Sequence, residues 1–221
     1  MVKKSFAVIG MGRFGEALTE ELVKLSADVL VIDKSYEKIE KIAKTVSNAV
    51  SLDATDVEAL KEVGITNYDT VIVSTGENVD NSILTTLILK DLGIKEIYVK
   101  VQSEYHAKVI EKLGVPEEHM IWPEMWTGKR YANILVSGKF LDYVELDKDH
   151  SFVSVEVSDK LVGQNLLELD IRSRFNVNIV AVKRDDKIMI PTSKTPFEEN
   201  DLILYIGHND SIQKFTNWLK K

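Results

Sequence analysis

The regular alternation of short apolar runs with amphipathic segments over the first 137 residues is the feature that most constrains this fold. The apolar runs cover 6–9, 29–32, 49–52, 70–74, 97–101 and 120–122, and the helical segments cover about 14–25, 35–45, 56–63, 80–91, 104–113 and 125–137. Strands separated by helices of this length form βαβ units on a parallel sheet. The pattern therefore predicts an α/β domain with a Rossmann-like, doubly wound parallel sheet.

The pattern changes after the segment SGKF, which covers residues 137–140. Strand-like runs then occur at YVEL, FVSVEV, NIVAVKR, KIMIP and DLILYIGH, and helical ones at LVGQNLLELDIRSRF and DSIQKFTNWLKK. The segment RDDK is typical of a turn between two adjacent strands. We therefore expect a small α+β domain, with one domain at residues 1–138 and the other at residues 139–221.

Composition excludes several classes of protein. The chain has 221 residues, of which 44% are hydrophobic and 29% are charged, as expected for a soluble globular protein. The net charge of −7 argues against a nucleic-acid partner, because phosphate binding needs a concentrated basic face. The absence of cysteine excludes disulfides and thiolate chemistry, and it fits a cytoplasmic protein. The apolar run in MVKKSFAVIG is too short for a signal peptide, and no run reaches the roughly 18 residues of a membrane span.

The sequence GMGRFG at residues 10–15 has the spacing G-x-G-x-x-G between a predicted strand and a predicted helix. Gly10 permits a tight turn, Gly12 lets the backbone approach a phosphate, and Gly15 lets helix and strand pack closely. Asp33 ends the second strand, where a carboxylate can accept hydrogen bonds from a ribose diol. These residues predict an adenosine-containing ligand, with a glycine turn in an empty Rossmann-like domain as the alternative.

Polar residues also follow the other strands, and ligands of such sheets lie beyond the carboxyl ends of the strands. The further candidates for nucleotide binding are Lys34, Asp53, Ala54, Thr55, Thr75, Gly76, Glu77, Asn78 and Lys100. The alternative is that these side chains form turns and helix caps, where Asp, Thr and Asn are favoured.

Arg13, followed by Phe14, is a cation inside the glycine loop. A guanidinium matches terminal phosphate oxygens in a bidentate manner, so Arg13 favours ATP or ADP over a dinucleotide, unless it simply points to solvent. Glu124 follows the sixth strand. A carboxylate near phosphates needs a cation such as Mg²⁺ between them, whereas an acid in the first turn of a helix is also favourable by itself.

No catalytic group is evident in the sequence. The histidines at 106, 119, 150 and 208 are scattered without metal-ligand spacing, and the chain has no H-E-x-x-H, G-x-S-x-G or Walker lysine. We therefore predict that the protein is not an enzyme. An NAD(H)-dependent oxidoreductase is the alternative, but it explains neither Arg13 nor the small second domain.

Several stretches together resemble the cytosolic RCK-domain subunits of Ktr/Trk-type bacterial potassium uptake systems. The matching stretches are FAVIGMGRFG, VLVID, SLDATD, STGENVDNSILTTLILKDLGI, IYVKVQSEYHAKVIEKLG, PE at 123–124 and LLELDIRSRFNVNIVAVKR. The resemblance spans nearly the whole chain and includes both predicted domains.

This resemblance implies an N-terminal nucleotide-binding RCK domain and a C-terminal RCK domain, with dimers assembled into an octameric ring. The ring would dock on the cytoplasmic face of a membrane-embedded potassium-conducting subunit, and ATP or ADP would set its shape. By the same resemblance, Gly10, Gly12 and Gly15 form the phosphate loop, Asp33 binds ribose, Arg13 reaches the γ-phosphate in a neighbouring subunit, and Glu124 holds the cation there.

The segment LLELDIRSRFNVNI, residues 166–179, predicts a second ligand site. Leu167, Ile171 and Phe175 fall at helical spacing beside Arg172, and a two-fold dimer would present the patch twice. A ligand with two phosphates and two purines suits this symmetry, and similar C-terminal RCK domains bind cyclic di-AMP at such an interface. By that resemblance, the site residues are Leu166, Leu167, Ile171, Arg172, Phe175 and Asn178. The alternative is that the apolar residues pack the helix on its sheet.

Overall fold

A computed structural model describes residues 4–75, 78–137 and 140–220 of the chain. The chain divides into two compact units, Met1–Glu124 and Met125–Lys221. The domain limits expected from the sequence, 1–138 and 139–221, stay a prediction.

The described residues of the first unit form a parallel six-stranded sheet in the order β3-β2-β1-β4-β5-β6. Its strands are β1 (Ser5–Ile9), β2 (Asp28–Asp33), β3 (Asn48–Ser51), β4 (Thr70–Val73), β5 (Glu96–Lys100) and β6 (Met120–Ile121). The connecting helices are α1 (Arg13–Lys24), α2 (Tyr36–Ile42), α3 (Val57–Glu62), α4 (Val79–Asp91) and α5 (Glu104–Lys112). The helix α6 (Pro123–Ser137) follows β6, and its residues from Met125 onward belong to the second unit. This is the predicted doubly wound sheet, and the prediction is confirmed.

The central strands of this sheet are buried on both faces, as their nearly continuous apolar sequences require. In β1, Ala7 and Ile9 pack into one apolar cluster and Val8 into another. The first cluster also includes Leu60, Leu89 and Ile110, and the second includes Val31, Ile39 and Ile42. The helices therefore hold the sheet between two apolar layers and leave its carboxyl edge as the place where the loops meet.

Side-chain caps fix the start of most helices in the first unit. Ser35, Asp56, Asn78 and Ser103 each accept a hydrogen bond from a backbone N–H in the first turn of the helix that follows. Gly12, which precedes α1, supplies no such cap. None of the helices in the described residues combines the length and the apolar character that crossing a bilayer requires.

The described residues of the second unit form a five-stranded sheet in the order β10-β9-β11-β8-β7, with neighbouring strands antiparallel. Its elements are β7 (Phe140–Glu145), β8 (His150–Glu156), α7 (Leu166–Leu169), α8 (Ile171–Phe175), β9 (Val177–Arg184), β10 (Lys187–Met189), β11 (Leu202–His208) and α9 (Asn209–Lys220). Asp185 and Asp186 adopt φ angles of 47° and 61° in the predicted RDDK turn. The small α+β arrangement is confirmed.

The prediction of one continuous helix through LVGQNLLELDIRSRF was wrong. Asn165 forms a capping box with Glu168, so α7 begins only at Leu166. Asp170 then adopts φ 44° and ends that helix, while its carboxylate accepts a hydrogen bond from Ser173 Oγ at 2.7 Å. An aspartate tolerates this left-handed conformation better than most residues do, and the break separates α7 from α8.

Candidate functional site

The glycine loop lies at the carboxyl end of β1, between β2 and β4, where the strand order reverses. Gly10 has φ 98°, and its N–H donates to Ile32 O at 2.7 Å. A Cβ on Gly10 would lie 2.9 Å from Thr75 N, and a Cβ on Gly15 would lie 2.1 Å from Gly10 O. Both glycines are thus required by the fold of the loop itself.

Gly12 has a different reason to be glycine. Its φ of −84° suits any residue, and apart from its two chain neighbours no described residue has an atom within 4 Å of the position that its Cβ would take. The space borders the start of α1, where the first N–H groups of a helix have no intrahelical partner. The backbone at Gly12 therefore leaves room for an anion at the positive end of a helix.

Asp33 fastens this loop to the end of β2. Its Oδ2 accepts from Met11 N at 2.6 Å and its Oδ1 from Ser35 N at 2.8 Å, and the residue is only 8% exposed. Lys38 Nζ lies 3.7 Å from Oδ2. The sequence had not predicted this structural role, since the two bonds depend on the path of the loop. Each carboxylate oxygen can accept a further hydrogen bond, so the observed bonds are compatible with ribose binding by Asp33. Ribose binding stays a prediction.

Two buried hydroxyl groups follow β4 beside the loop. Within the described residues, neither Ser74 Oγ nor Thr75 Oγ1 has a hydrogen-bond partner. A buried hydroxyl without a partner costs free energy, so these two favour a ligand or water in the native site. Thr75 was a sequence candidate, whereas Ser74 was missed because its neighbours in β4 are apolar. The candidates Gly76 and Glu77 lie outside the described residues.

Lys100 and Glu124 form an ion pair at the ends of β5 and β6. Lys100 Nζ donates to Glu124 Oε1 at 2.7 Å; the lysine side chain is 12% exposed and the glutamate side chain 72%. The hydrogen bond from Lys100 lowers the pKa of Glu124, and the charge of Arg13 lowers it further. Lys100 therefore balances the carboxylate that we expected to need a metal cation. In the described part of the chain, no group of three or more His, Asp or Glu side chains is arranged to hold a metal. A cation at Glu124 stays a prediction.

Arg13 is exposed at the start of α1 and forms no ion pair with the residues that the structure describes, and Phe14 beside it is half-buried. Arg13 borders a cleft of about 320 Å³ between α1 and α2. The cleft is lined by Met11, Gly12, Arg13, Glu16, Lys38, Lys41 and Ile42. Lys38 and Lys41 were not among the sequence candidates, since they lie one helix beyond the loop. They add positive charge beside the glycine loop, although Lys41 pairs with Glu16.

The candidates after β3 and before α4 make local contacts. Asp53 Oδ1 accepts from the Thr55 hydroxyl at 2.7 Å and from Thr55 N at 2.9 Å. These two bonds lower the pKa of Asp53, and the charge of Lys34 adds to the effect. Ala54 is buried, and Asn78 Oδ1 caps α4 by accepting from Asn81 N at 3.2 Å. The turn and cap interpretation accounts for these contacts, and nucleotide binding by these residues stays a prediction.

The candidates for the second ligand site lie in unlike surroundings within one chain. Leu167 is 70% exposed, whereas Ile171, beyond the break at Asp170, is 2% exposed and belongs to the core. Phe175 packs against Phe215 and Trp218, with ring centroids 5.2 Å apart in both pairs. The remaining candidates are the half-buried Leu166 and the exposed Arg172 and Asn178. A cyclic di-AMP site on this segment stays a prediction.

The four histidines are less scattered than the sequence indicated. His150 and His208 are neighbours, with ring centroids 5.6 Å apart. His119 stacks on Tyr98 at 4.1 Å. His106 is 1% exposed, and burial lowers its pKa. The pairing of β8 with β11 brings His150 and His208 together, and a spacing along the sequence cannot reveal it.

Comparison with protein families gives a match over most of the chain. Residues 6–123 match the family described as the TrkA-N domain, and residues 151–220 match the TrkA-C domain.

Individual proteins match over nearly their full length. The chain is 42% identical over 215 residues to the Ktr system potassium uptake protein C of Bacillus subtilis (strain 168), covering 97% of this chain and 96% of that protein. It is 36% identical to the Ktr system potassium uptake protein A of the same organism, with the same coverage. The crystal structure of the GsuK RCK domain gives a TM-score of 0.68 at 15% identity and covers 100% of this chain and 48% of that one. The chain thus spans about half the length of that structure, and at this identity the likeness shows the fold alone.

Proposed function

Since the chain belongs to the family of proteins that join a TrkA-N domain to a TrkA-C domain, we propose a specific role for it. It is a nucleotide-binding regulatory subunit of a Ktr/Trk-type potassium uptake system. Its relatives are named potassium uptake proteins, and these names support a role in potassium uptake. The proposal makes it a regulator and not an enzyme.

The observation that carries nucleotide binding is the open space at Gly12. The loop places unpaired helix N–H groups beside this space, and no described side chain caps them. The unpartnered hydroxyls of Ser74 and Thr75 lie next to the same loop. A phosphate chain at Gly12 would satisfy the N–H groups, with the adenosine ribose towards Asp33.

ATP and ADP are the ligands that Arg13 favours. Its guanidinium is exposed beside the loop and close enough to Glu124 to lower the pKa of that carboxyl. In an assembly of two copies, Arg13 would reach the terminal phosphate of the nucleotide in the neighbouring subunit. Mg²⁺ or another hard cation would lie between this phosphate and Glu124, and Lys100 would share the charge balance there.

The same proposal gives the protein its place and partners. The chain would form a homodimer, the dimers would assemble into an octameric ring, and the ring would dock on the cytoplasmic face of a membrane-embedded potassium-conducting subunit. Nucleotide exchange would then alter the ring and so gate the ion pathway, because a ligand shifts a conformational equilibrium through its differential affinity for the two states.

Cyclic di-AMP is the effector that we propose for the second domain. Leu167 is exposed in α7, Arg172 is exposed in the first turn of α8, and Asn178 is exposed on β9. Ile171, by contrast, is buried in the core of the second unit. A two-fold partner would have to complete the site by presenting the same residues from the opposite side.

The test of nucleotide binding uses the substitution Gly12→Ala. Its Cβ would enter open space, so we expect a folded protein whose affinity for ATP and ADP falls by roughly 1–3 kcal/mol, because the extra carbon occupies the path of the phosphates. The matched control is Gly128→Ala, since a Cβ on Gly128 would likewise meet no described atom within 4 Å beyond its chain neighbours and the backbone of its own helix.

Calorimetry and thermal unfolding with ATP, ADP, NAD and NADH measure the effect, because a ligand of the native state raises its stability. Equal affinity of the wild type and Gly12→Ala for every nucleotide would remove the glycine loop as the site. Turnover of a carbonyl substrate with NADH would favour the oxidoreductase alternative.

A further inference from the structure

The strands β8 and β11 place two histidines side by side on the second unit. Their antiparallel register pairs His208 with His150. Asn209 N donates to Asp149 O at 2.8 Å, so the next pair along the ladder is hydrogen-bonded. Because hydrogen-bonded and non-hydrogen-bonded pairs alternate, the two histidines form a non-hydrogen-bonded pair, in which opposite side chains lie closest. Their rings are 5.6 Å apart with an interplanar angle of 84°.

A carboxylate lies near the Nδ1 atom of each ring. His150 Nδ1 is 3.0 and 3.1 Å from the two carboxylate oxygens of Asp147. Asp147 Oδ1 also accepts from Asp149 N and His150 N, each at 2.8 Å, so this carboxylate is fixed in place. His208 Nδ1 lies 3.9 Å from Asp210 Oδ2. In His150 the carboxylate at hydrogen-bond distance from Nδ1 favours the tautomer that leaves the Nε2 lone pair free for a metal.

We propose that His150 and His208 bind one divalent transition-metal ion of the class of Zn²⁺, Ni²⁺ and Cu²⁺ through their Nε2 atoms. Neutral imidazole suits these ions better than it suits Mg²⁺ or Ca²⁺, which prefer oxygen ligands. Asp147 and Asp210 act as positioning residues that orient the rings. Since the described residues offer no cluster of three or more ligands, the protein supplies two ligands and water completes the coordination.

The exposure of the pair fits this coordination. The side chains of His150 and His208 are 49% and 44% exposed, so solvent reaches both rings. His150 is held by Asp147, whereas the Nδ1 of His208 accepts from Asp210 N at 3.3 Å. For metal binding the His208 proton would move from Nε2 to Nδ1 by exchange with solvent, and the ring would rotate so that Nδ1–H faces the Asp210 carboxylate. Three aspartates, at 147, 149 and 210, add negative charge around the ion.

The test is calorimetric titration of the full chain with ZnCl₂ and with NiCl₂. We expect one ion per chain, and an affinity that falls as the pH drops through the imidazole range, because protons compete for the ligands. His150→Gln and His208→Gln should each abolish the specific binding. Asp147→Asn should weaken it about 10- to 100-fold, whereas Asp185→Asn, an exposed acid in a turn of the same unit, should leave it unchanged.

Histidine resonances of the wild type provide a second readout that needs no variant. Substoichiometric Ni²⁺ should broaden the ring signals of His150 and His208 and spare those of His106 and His119. Unchanged affinity in His208→Gln, equal affinity for Mg²⁺, or broadening confined to other histidines would each overturn the proposal.

Discussion

The glycine loop of the first unit and the segment 166–178 of the second unit are both predicted ligand sites, yet they differ in what the single chain already provides. At the loop, the N-terminus of α1 lacks a side-chain cap and the hydroxyls of Ser74 and Thr75 lack partners in the described structure. In the segment, Asn165 caps α7 and Asp170 accepts from Ser173, so the local polar groups bond to one another.

From this difference we expect that one chain can bind a nucleotide at the loop, whereas cyclic di-AMP binding at the segment would need two copies. The loop has unused hydrogen-bonding capacity gathered around one space, which a nucleotide would fill. The segment exposes Leu167 and Arg172 but buries Ile171, so a ligand there would gain little from one copy alone. Substitutions that act on one unit can therefore test the contrast.

We expect the largest effect from substitution of Arg184, which should lower the stability of the second unit and leave that of the first unchanged. Its guanidinium donates to both oxygens of the buried Asp201 at 2.7 Å. Arg184→Leu leaves that carboxylate unpaired in the interior, so we expect the free energy of unfolding of the second unit to fall by about 3–5 kcal/mol.

Hydrogen exchange measures both units in one sample. Amides of β8, β9 and β11 should exchange faster in Arg184→Leu, while those of β1 and β2 and the affinity for ATP should not change. Lys183→Leu is the matched control, because Lys183 pairs only with the exposed Asp186 in the described structure, and solvent screens such a pair so that it adds little stability. Loss of ATP binding in Arg184→Leu would show that the loop depends on the second unit.

The next effect compares two carboxylates at neighbouring strand ends. Asp33→Ala removes the acceptor for Met11 N and for the ribose, and we expect ATP and ADP affinity to fall together by roughly 1.5–3 kcal/mol. Asp53→Ala removes the bonds from Thr55, and we expect it to lower the ATP and ADP affinity by less than Asp33→Ala does. Calorimetry on both variants gives the comparison, and unchanged affinity in Asp33→Ala would contradict the ribose assignment.

A smaller effect on stability distinguishes two arginines of α8, Arg172 and Arg174. Arg174 packs over the rings of Phe175 and Trp218, at 5.2 and 5.0 Å from their centroids, so Arg174→Ala should destabilise the chain by about 0.5–1 kcal/mol. Arg172 is exposed, and Arg172→Ala should change stability by less than about 0.5 kcal/mol. If the two-copy site exists, Arg172→Ala should nevertheless abolish binding of cyclic di-AMP in calorimetry. If Arg172→Ala still binds cyclic di-AMP, Arg172 does not contact the ligand and the proposed two-copy site is wrong.

The smallest effect concerns pH and is confined to the first unit. Burial lowers the pKa of His106 below its ordinary value of 6.5, so the folded protein holds this ring neutral. The unfolded chain therefore binds more protons below pH 6.5, and the stability that His106 contributes above this pH is lost as the pH falls. Urea unfolding should show a pH dependence in this range that His106→Leu reduces. The same pH dependence in wild type and variant would assign the effect to another group.

The fold was predictable from the sequence because buried parallel strands and amphipathic helices leave distinct periodicities. The break at Asp170 was not, since it depends on a left-handed backbone at a residue other than glycine. The bond from Met11 N to Asp33 and the pairing of His150 with His208 join residues far apart in the chain. Only the path of the loop and the register of the strands bring such groups together.

The most direct test of the central claim is hydrogen exchange of the full chain with and without saturating ADP. We expect slower exchange of the amides at 10–16, at 33–35 and at 74–75, with segment 166–178 unaffected. At an ADP concentration that just saturates the wild type, protection at these positions should decrease in Gly12→Ala and persist in Gly128→Ala. Measurable ADP binding without protection of residues 10–16, or with protection confined to the second unit, would contradict a nucleotide site at the glycine loop.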